Sequence, residues 1–152
     1  MTLLPDGSYH LAVGSTEMGN GSVTSHKQIA ASILGARVDS VAIINADTDL
    51  TPYDTGTFAS TGTVVAGQAV NLTAKALHDN ILDFASRHAG VAPADCRLDD
   101  GVVVCGNQQI ALADLHVAGT RPATASKPSA RPISLRARSH STSRACGSRC
   151  TG

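Results

Sequence analysis

The sequence contains no tryptophan, and Phe and Tyr together make up 3% of its 152 residues. Any core must therefore be assembled from Val, Ile, Leu and abundant Ala, side chains that suit close helix packing but offer few large anchors. Glutamate occurs once, at Glu17. No apolar run approaches the roughly 20 residues that a bilayer requires. Met1 to Ser8 has neither the basic start nor the apolar stretch of a signal peptide, so a cytoplasmic protein without a membrane span is expected. The four cysteines, Cys96, Cys105, Cys146 and Cys150, show none of the paired C-x-x-C spacing of a zinc or iron–sulfur site, and no metal ligands are assigned. Of the six scattered histidines, His10, His78 and His88 read as hydrogen-bonded structural residues. No nucleophile and base can be paired, so no catalytic residue is assigned.

Acid is also missing from one end. All 12 acidic residues precede Thr120, where they stand against 5 Lys and Arg, a formal −7; from Arg121 onward there are 7 Lys and Arg and no acid, a formal +7. The net charge of +0 thus joins two compositions. Residues 1–120 read as one body, and 121–152, rich in Ser, Thr, Pro and Arg, as a disordered basic tail of a kind that can touch nucleic acid or an acidic partner.

What is present is organised around Gly14 to Gly35, GSTEMGNGSVTSHKQIAASILG, where an apolar run stops at a glycine-punctuated turn and a helical pattern begins. Gly14, Gly19 and Gly21 allow positive φ and close backbone approach. Ser22, Thr24 and Ser25 are candidate caps, and a helix start of this kind presents amide donors suited to an anion. Before it, Tyr9, Leu11 and Val13 alternate as a strand behind a Pro5-Asp6-Gly7 turn. Within the helix, Ile29 and Ile33 with Ala30 and Leu34 mark a buried face, and Gly35 stops it. Val41 to Ile44 reads as a strand covered on both faces. Asp47 to Thr63 is a long hydroxyl-rich connection. Val70, Leu77, Ile81, Phe84 and His88 form the seam of a helix from about Val64 to His88, with small residues Ala66, Gly67 and Ala69 at its start. A hairpin with an Asp100-Gly101 turn and a short helix from Leu112 to Ala118 complete an α+β order of β-α-β-α-β-β-α.

These residues resemble a known family. Gly14-Ser15-Thr16-Glu17-Met18-Gly19-Asn20-Gly21, then Thr24, Gln28-Ile29-Ala30 and Leu34-Gly35, is similar to the G-x-x-E-x-G-Q-G-x-x-T-x-x-x-Q-I-x-A-x-x-L-G segment of the molybdenum hydroxylases, the xanthine dehydrogenase and aldehyde oxidase family. Asp47-Thr48, Pro52, Gly56-Thr57, Ala59-Ser60 and Val65 to Val70 follow that family's later D-T-x-x-x-P…G-T-x-A-S-R…G-x-A-V pattern in the same order. The resemblance implies part of the second molybdopterin-binding domain of a large subunit. Met18, Gly19, Asn20 and Gly21 would lie against a molybdenum–pterin cofactor from one side, and Phe58, Ala59, Ser60, Thr61, Gly62 and Thr63 from the other. Asn20 departs from the family's Gln, and Thr61 from its Arg or Ala. An anionic, hydrogen-bond-rich pterin suits a glycine turn and a hydroxyl loop that each lead into a helix.

The resemblance further implies hydroxylation of N-heterocycles or aldehydes with oxygen from water. Electrons would leave through iron–sulfur clusters and FAD on partner domains or subunits. The family's base is a glutamate far downstream, so this chain is expected to be an internal fragment, inactive alone, whose partners are the remainder of the large subunit and the iron–sulfur and flavin subunits. Glu17 matches the turn motif, not the base, and reads as a residue that caps or salt-bridges locally. Two alternatives of other classes are a small anion- or nucleotide-binding module that uses the glycine turn, and a basic-tailed nucleic-acid-binding protein; the second rests on the tail alone and has no aromatic interleaving.

A frame shift near Arg121 accounts for the tail. Residues 139–152 can be encoded so that a start two bases later reads A-F-N-V-Q-G-V-R-V-A-V-H-R, a strand like the family's F-N-V-Q-G-x-R-x-A-V-H. Resequencing the locus is expected to show a downstream subunit frame restored by a single base, and codons incompatible with that strand in every frame would contradict the expectation.

Overall fold

The computed structural model describes residues 1–51, 53–54, 56–59 and 61–120. The expected basic tail, and Ser60 among the candidate site residues, lie outside the described residues.

Strand β1 (Thr2–Leu3) turns back through Leu4 to Ser8 into β2 (Tyr9–Val13), and the two pair antiparallel. Asp6 holds this turn by accepting the amide and hydroxyl of Ser8 at 3.0 and 2.6 Å. The alternation in β2 places Tyr9, Leu11 and Val13 in the core. Helix α1 (Ser22–Leu34) ends at Gly35, whose φ of 57° lets its amide return to the Ala31 carbonyl. Strand β3 (Val41–Asn45) then runs parallel to β2, with Tyr9 opposite Val41 and Val13 opposite Asn45. The chain thus forms a β-α-β unit that delivers both parallel strands to one edge, the end at which such sheets place their ligands.

Two expectations about faces need correction. On α1 the fully buried residues are Ser22, His26, Ala30, Ala31 and Leu34, while Ile29 and Ile33 are only partly buried. The packed stripe is rotated toward the small residues because α1 lies close against a second helix. Strand β3 is not covered on both faces: it lies at the edge of the order β1-β2-β3, with Val41 buried, Ala42 exposed and Ile43 to Asn45 half-buried. Among the described residues no strand flanks its outer edge.

Residues Gly62–Ala66 form a π-turn that leads into α2 (Gly67–Ala89), so the regular helix starts three residues later than its periodicity suggests. Its buried stripe is Val70, Ala74, Leu77, Ile81 and Ala85; Phe84 is partly buried, and His88 is exposed where the helix leaves the core. Gly67 makes close approach of α1 possible, because a Cβ there would stand 3.1 Å from Ile29 Cδ1. With aromatics so scarce, backbone proximity through Ala and Gly replaces large side chains as the means of excluding water.

Strands β4 (Cys96–Asp99), β5 (Val102–Cys105) and β6 (Gln108–Ala111) form an antiparallel meander. The Asp100-Gly101 turn has both φ values positive, 36° and 85°, the geometry that matches strand twist in a two-residue hairpin. Cys96 and Cys105 face each other across β4 and β5 and are joined by a disulfide, a pairing the sequence reading did not anticipate. Hydrogen bonds of 3.0 Å from Asp100 N to Gly35 O, and from Leu112 N to Gly101 O, tie the hairpin turn to the end of α1 and to α3 (Leu112–Thr120). The expected α+β order is present, with the two short strands β1 and β6 in addition.

Leu77 is fully buried in α2 and Leu72 on the same helix is 54% exposed. Leu77→Ala is expected to lower unfolding free energy by about 2–5 kcal/mol and Leu72→Ala by under about 0.5 kcal/mol, measured by urea denaturation of the two variants.

Candidate functional site

The site begins where the two parallel strands end. Asn45, the last residue of β3, turns its side chain back to the neighbouring strand's exit: its Oδ1 accepts the Glu17 amide at 3.0 Å and its Nδ2 donates to the Ser15 carbonyl. The Ala46 amide donates to the Val13 carbonyl at 3.0 Å. Register therefore fixes where the glycine turn starts.

Glu17 then organises the turn. Its Oε1 accepts the amides of Gly19 and Gly21 at 2.8 and 3.0 Å, and its Oε2 accepts the amide of Val23 and the hydroxyl of Ser22 at 2.9 and 3.0 Å. The Val23 amide foremost, with the Ser22 hydroxyl and the Gly21 and Gly19 amides, outweighs desolvation and lowers the carboxyl from its ordinary 4.5 to about 2. Gly19 and Gly21 adopt φ of 90° and 73°, which lets their amides converge on one carboxylate. Gly14 is not in the left-handed region.

The expected hydroxyl caps are absent: Gly21 is the N-cap, no side chain of Ser22, Thr24 or Ser25 caps the helix, and the Ser25 hydroxyl donates to the Gly21 carbonyl at 3.1 Å. A left-handed glycine has no side chain to offer, so an upstream carboxylate provides the acceptor. The helix-start donors expected to await a ligand are thus largely engaged by the chain's own anion. Among the described residues, the Met18 and Asn20 amides have no hydrogen-bond partner, and the Asn20 Oδ1 accepts the Ser22 amide at 3.2 Å.

The described residues of the second stretch make short turns closed by their own side chains. Asp47 Oδ1 accepts the amides of Asp49 and Leu50 at 2.9 and 3.1 Å, and Asp54 Oδ1 accepts that of Gly56 at 2.7 Å. Thr61 donates both its amide and its hydroxyl to the Phe58 carbonyl, at 2.9 and 2.6 Å, around Ala59, whose φ of 48° is uncommon for a residue with a side chain. Gly62 follows, buried, at the start of the π-turn. A Cβ on Gly62 would meet Thr57 Cγ2 at 3.0 Å and Asn20 Nδ2 at 3.8 Å. His26, fully buried on α1, donates Nε2–H to the Gly62 carbonyl at 3.2 Å, the acceptor fixing the tautomer.

The fold therefore brings Asn20 of the first stretch and Gly62 of the second together across 42 residues of chain. Gly19 and Gly21 have open space beside them, and Met18 and Phe58 are 64% and 61% exposed. Ala59 and Thr63 are exposed, and Thr61 is half-buried and held by its own turn. His26 was not singled out from sequence; its spacing four residues from Ser22 and from Ala30 was the available signal.

The family described as a molybdopterin cofactor-binding domain matches residues 1–147, past the proposed boundary near residue 120. The "Probable hypoxanthine oxidase XdhD" of Escherichia coli (strain K12) is 32% identical over 111 residues, 72% of this chain and 12% of that protein. The xanthine dehydrogenase molybdenum-binding subunit of Escherichia coli O157:H7 is 38% identical over 82 residues, 53% of this chain and 11% of that one. The crystal structure of quinoline 2-oxidoreductase from Pseudomonas putida 86 superimposes with a TM-score of 0.72 at 23% identity, over 91% of this chain and 18% of that chain, which shows the fold. The chain spans about an eighth of the curated relatives it matches.

Because the Glu17 carboxyl is depressed, its contribution to the turn is complete above about pH 4.5 and is lost as pH falls through about 2. Glu17→Gln is expected to lower the exchange protection of the Gly19, Gly21 and Val23 amides by roughly tenfold or more at neutral pH, and to remove the loss of protection expected between pH 4.5 and 2 in the unsubstituted chain. Residue-resolved hydrogen exchange checks both.

Proposed function

Since the chain belongs to the molybdopterin cofactor-binding domain family of the molybdenum hydroxylases, we propose that residues 14–35 and 57–67 form one wall of the pocket that holds a molybdenum–pterin cofactor in a larger subunit. The meeting of Asn20 with Gly62 carries this reading, because it joins the two separate stretches into one surface.

The donor set suits the group. Asn20 Nδ2, the unused amides of Met18 and Asn20, and the hydroxyls of Thr57 and Thr63 offer neutral hydrogen-bonding groups beside bare glycine backbone at Gly19 and Gly21. Met18 and Phe58 would bound this polar surface with apolar side chains that limit water access. When bound, the group supplies the redox centre for hydroxylating an N-heterocycle or aldehyde with oxygen derived from water. This chain orients it. Glu17 is ill suited to act as the base, since four donors occupy both its oxygens and lower its affinity for a proton. The chain alone is thus inactive in this reading.

The rest of the large subunit, and iron–sulfur and FAD-bearing partners, complete the machine in this proposal. Leu50, Tyr53, Val64 and Val65, all between 58% and 91% exposed, with the open edge of β3, present the apolar surface such neighbours would cover. A cytoplasmic setting belongs to the same reading; among the described residues no helix is long and apolar enough to cross a membrane. We keep the boundary near residue 120, with an out-of-frame tail beyond it, as our account of the charge split. The anion-module alternative is less well supported, because a free anion would have to displace Glu17 from the helix start.

A chimera tests the proposal. Residues 14–67 of this chain, placed in the corresponding segment of the xanthine dehydrogenase molybdenum-binding subunit of Escherichia coli O157:H7, are expected to leave stoichiometric molybdenum by metal analysis, and adding Gly62→Val to remove it. A folded chimera without molybdenum would contradict the reading. The isolated chain is expected to retain no molybdenum and to oxidise no purine, nicotinate or aldehyde.

A further inference from the structure

A helix position that only needed filling would hold an apolar side chain more cheaply than an imidazole, which must be desolvated. His26 occupies such a position: it is fully buried, lies between Ser22 and Ala30 on the packed stripe of α1, and its Nδ1 has no hydrogen-bond partner among the described residues. Its one hydrogen bond runs from Nε2–H to the carbonyl of Gly62, 36 residues away and on the other side of the candidate site. Gly62 opens the π-turn, a turn one residue wider than the helix it feeds, and its missing Cβ is what lets Thr57 and Asn20 close around it. Among the described residues, the other side-chain hydrogen bonds of the second stretch are local: Thr61 bonds Phe58, and Asp54 bonds Gly56.

We propose that His26 is the positioning residue that sets the separation of the two stretches, by anchoring the first carbonyl of the π-turn to α1. Glu17 shapes the first stretch from within, and His26 fixes the second against it. The amide side of Asn20 therefore faces Gly62 at a defined distance whether or not a ligand is present. This deepens the cofactor reading and rests on it only for what the two stretches hold: a folded chimera without molybdenum would overturn the cofactor reading and leave the anchor standing, whereas exchange data that overturn the anchor would leave the molybdenum content of the chimera to be judged on its own.

The test uses the full ¹⁵N-labelled chain and three measurements. Imidazole ¹⁵N shifts should show His26 protonated at Nε2 and bare at Nδ1. In His26→Leu, amide exchange at Gly62 to Ala66 should rise roughly tenfold and the Asn20 side-chain amide signals should move, with β2 and β5 exchange unchanged. In His26→Gln, whose side-chain amide can donate to the same carbonyl, exchange at these residues should return to within about twofold of the unsubstituted chain. A ring without a proton at Nε2 would overturn the proposal. So would unchanged exchange at residues 62–66 in His26→Leu, or equal loosening of β2, β5 and the π-turn. If His26→Leu does not fold, the tautomer and the His26→Gln exchange pattern decide it, and a folded His26→Gln with a loosened π-turn overturns it.

Discussion

A single carboxylate receiving four donors determines how this molecule begins its first helix. Without it, Gly19, Gly21 and Val23 would present parallel, unsatisfied amides at a positively polarised helix start, and the left-handed glycines would be free to sample many turns. Glu17 can reach them because Asn45 first pins its own amide to the end of β3. The order of dependence runs from the register of two parallel strands, to Asn45, to Glu17, to the start of α1. Once α1 is placed, its Ala-rich face admits α2, and the π-turn before α2 carries Gly62 to Asn20. Each step relies on proximity of backbones, the resource available to a chain without tryptophan.

The consequence for ligand recognition is specific. A glycine turn before a helix is commonly a cradle for an external anion. Here that role is filled internally, so in the reading proposed above the surface offered to the cofactor consists of alternate amides, an Asn side chain and threonine hydroxyls, a neutral set that would discriminate by hydrogen-bond pattern more than by charge. A large heterocyclic group with many donors and acceptors matches this better than a simple phosphate does.

Much of the architecture was readable from periodicity and punctuation. The alternation of Tyr9, Leu11 and Val13, the stop at Gly35 and the Asp100-Gly101 turn each express a local rule that tertiary packing did not override. The two stretches that the fold brings together were readable as motifs, and the glutamate was read as a residue that caps or salt-bridges locally. Other features were not. The buried face of α1 shifted away from Ile29 and Ile33 because a neighbouring helix at close range favours Ala over larger residues, which hydrophobicity alone does not weigh. The edge position of β3 depends on what lies beside it, which its own apolar run does not reveal. The His26 bond joins residues 36 apart, and a lone histidine on a helix carries no sign of its acceptor.

Glu17 is an internal cap that stays ionised well below the ordinary carboxylate range. The chain has one glutamate, so selective ¹³Cδ-glutamate labelling yields a single carboxyl resonance. Its titration should have a midpoint of about 2. A midpoint near the ordinary 4.5 would show a carboxylate in water, and the helix start would then be open to an outside anion after all.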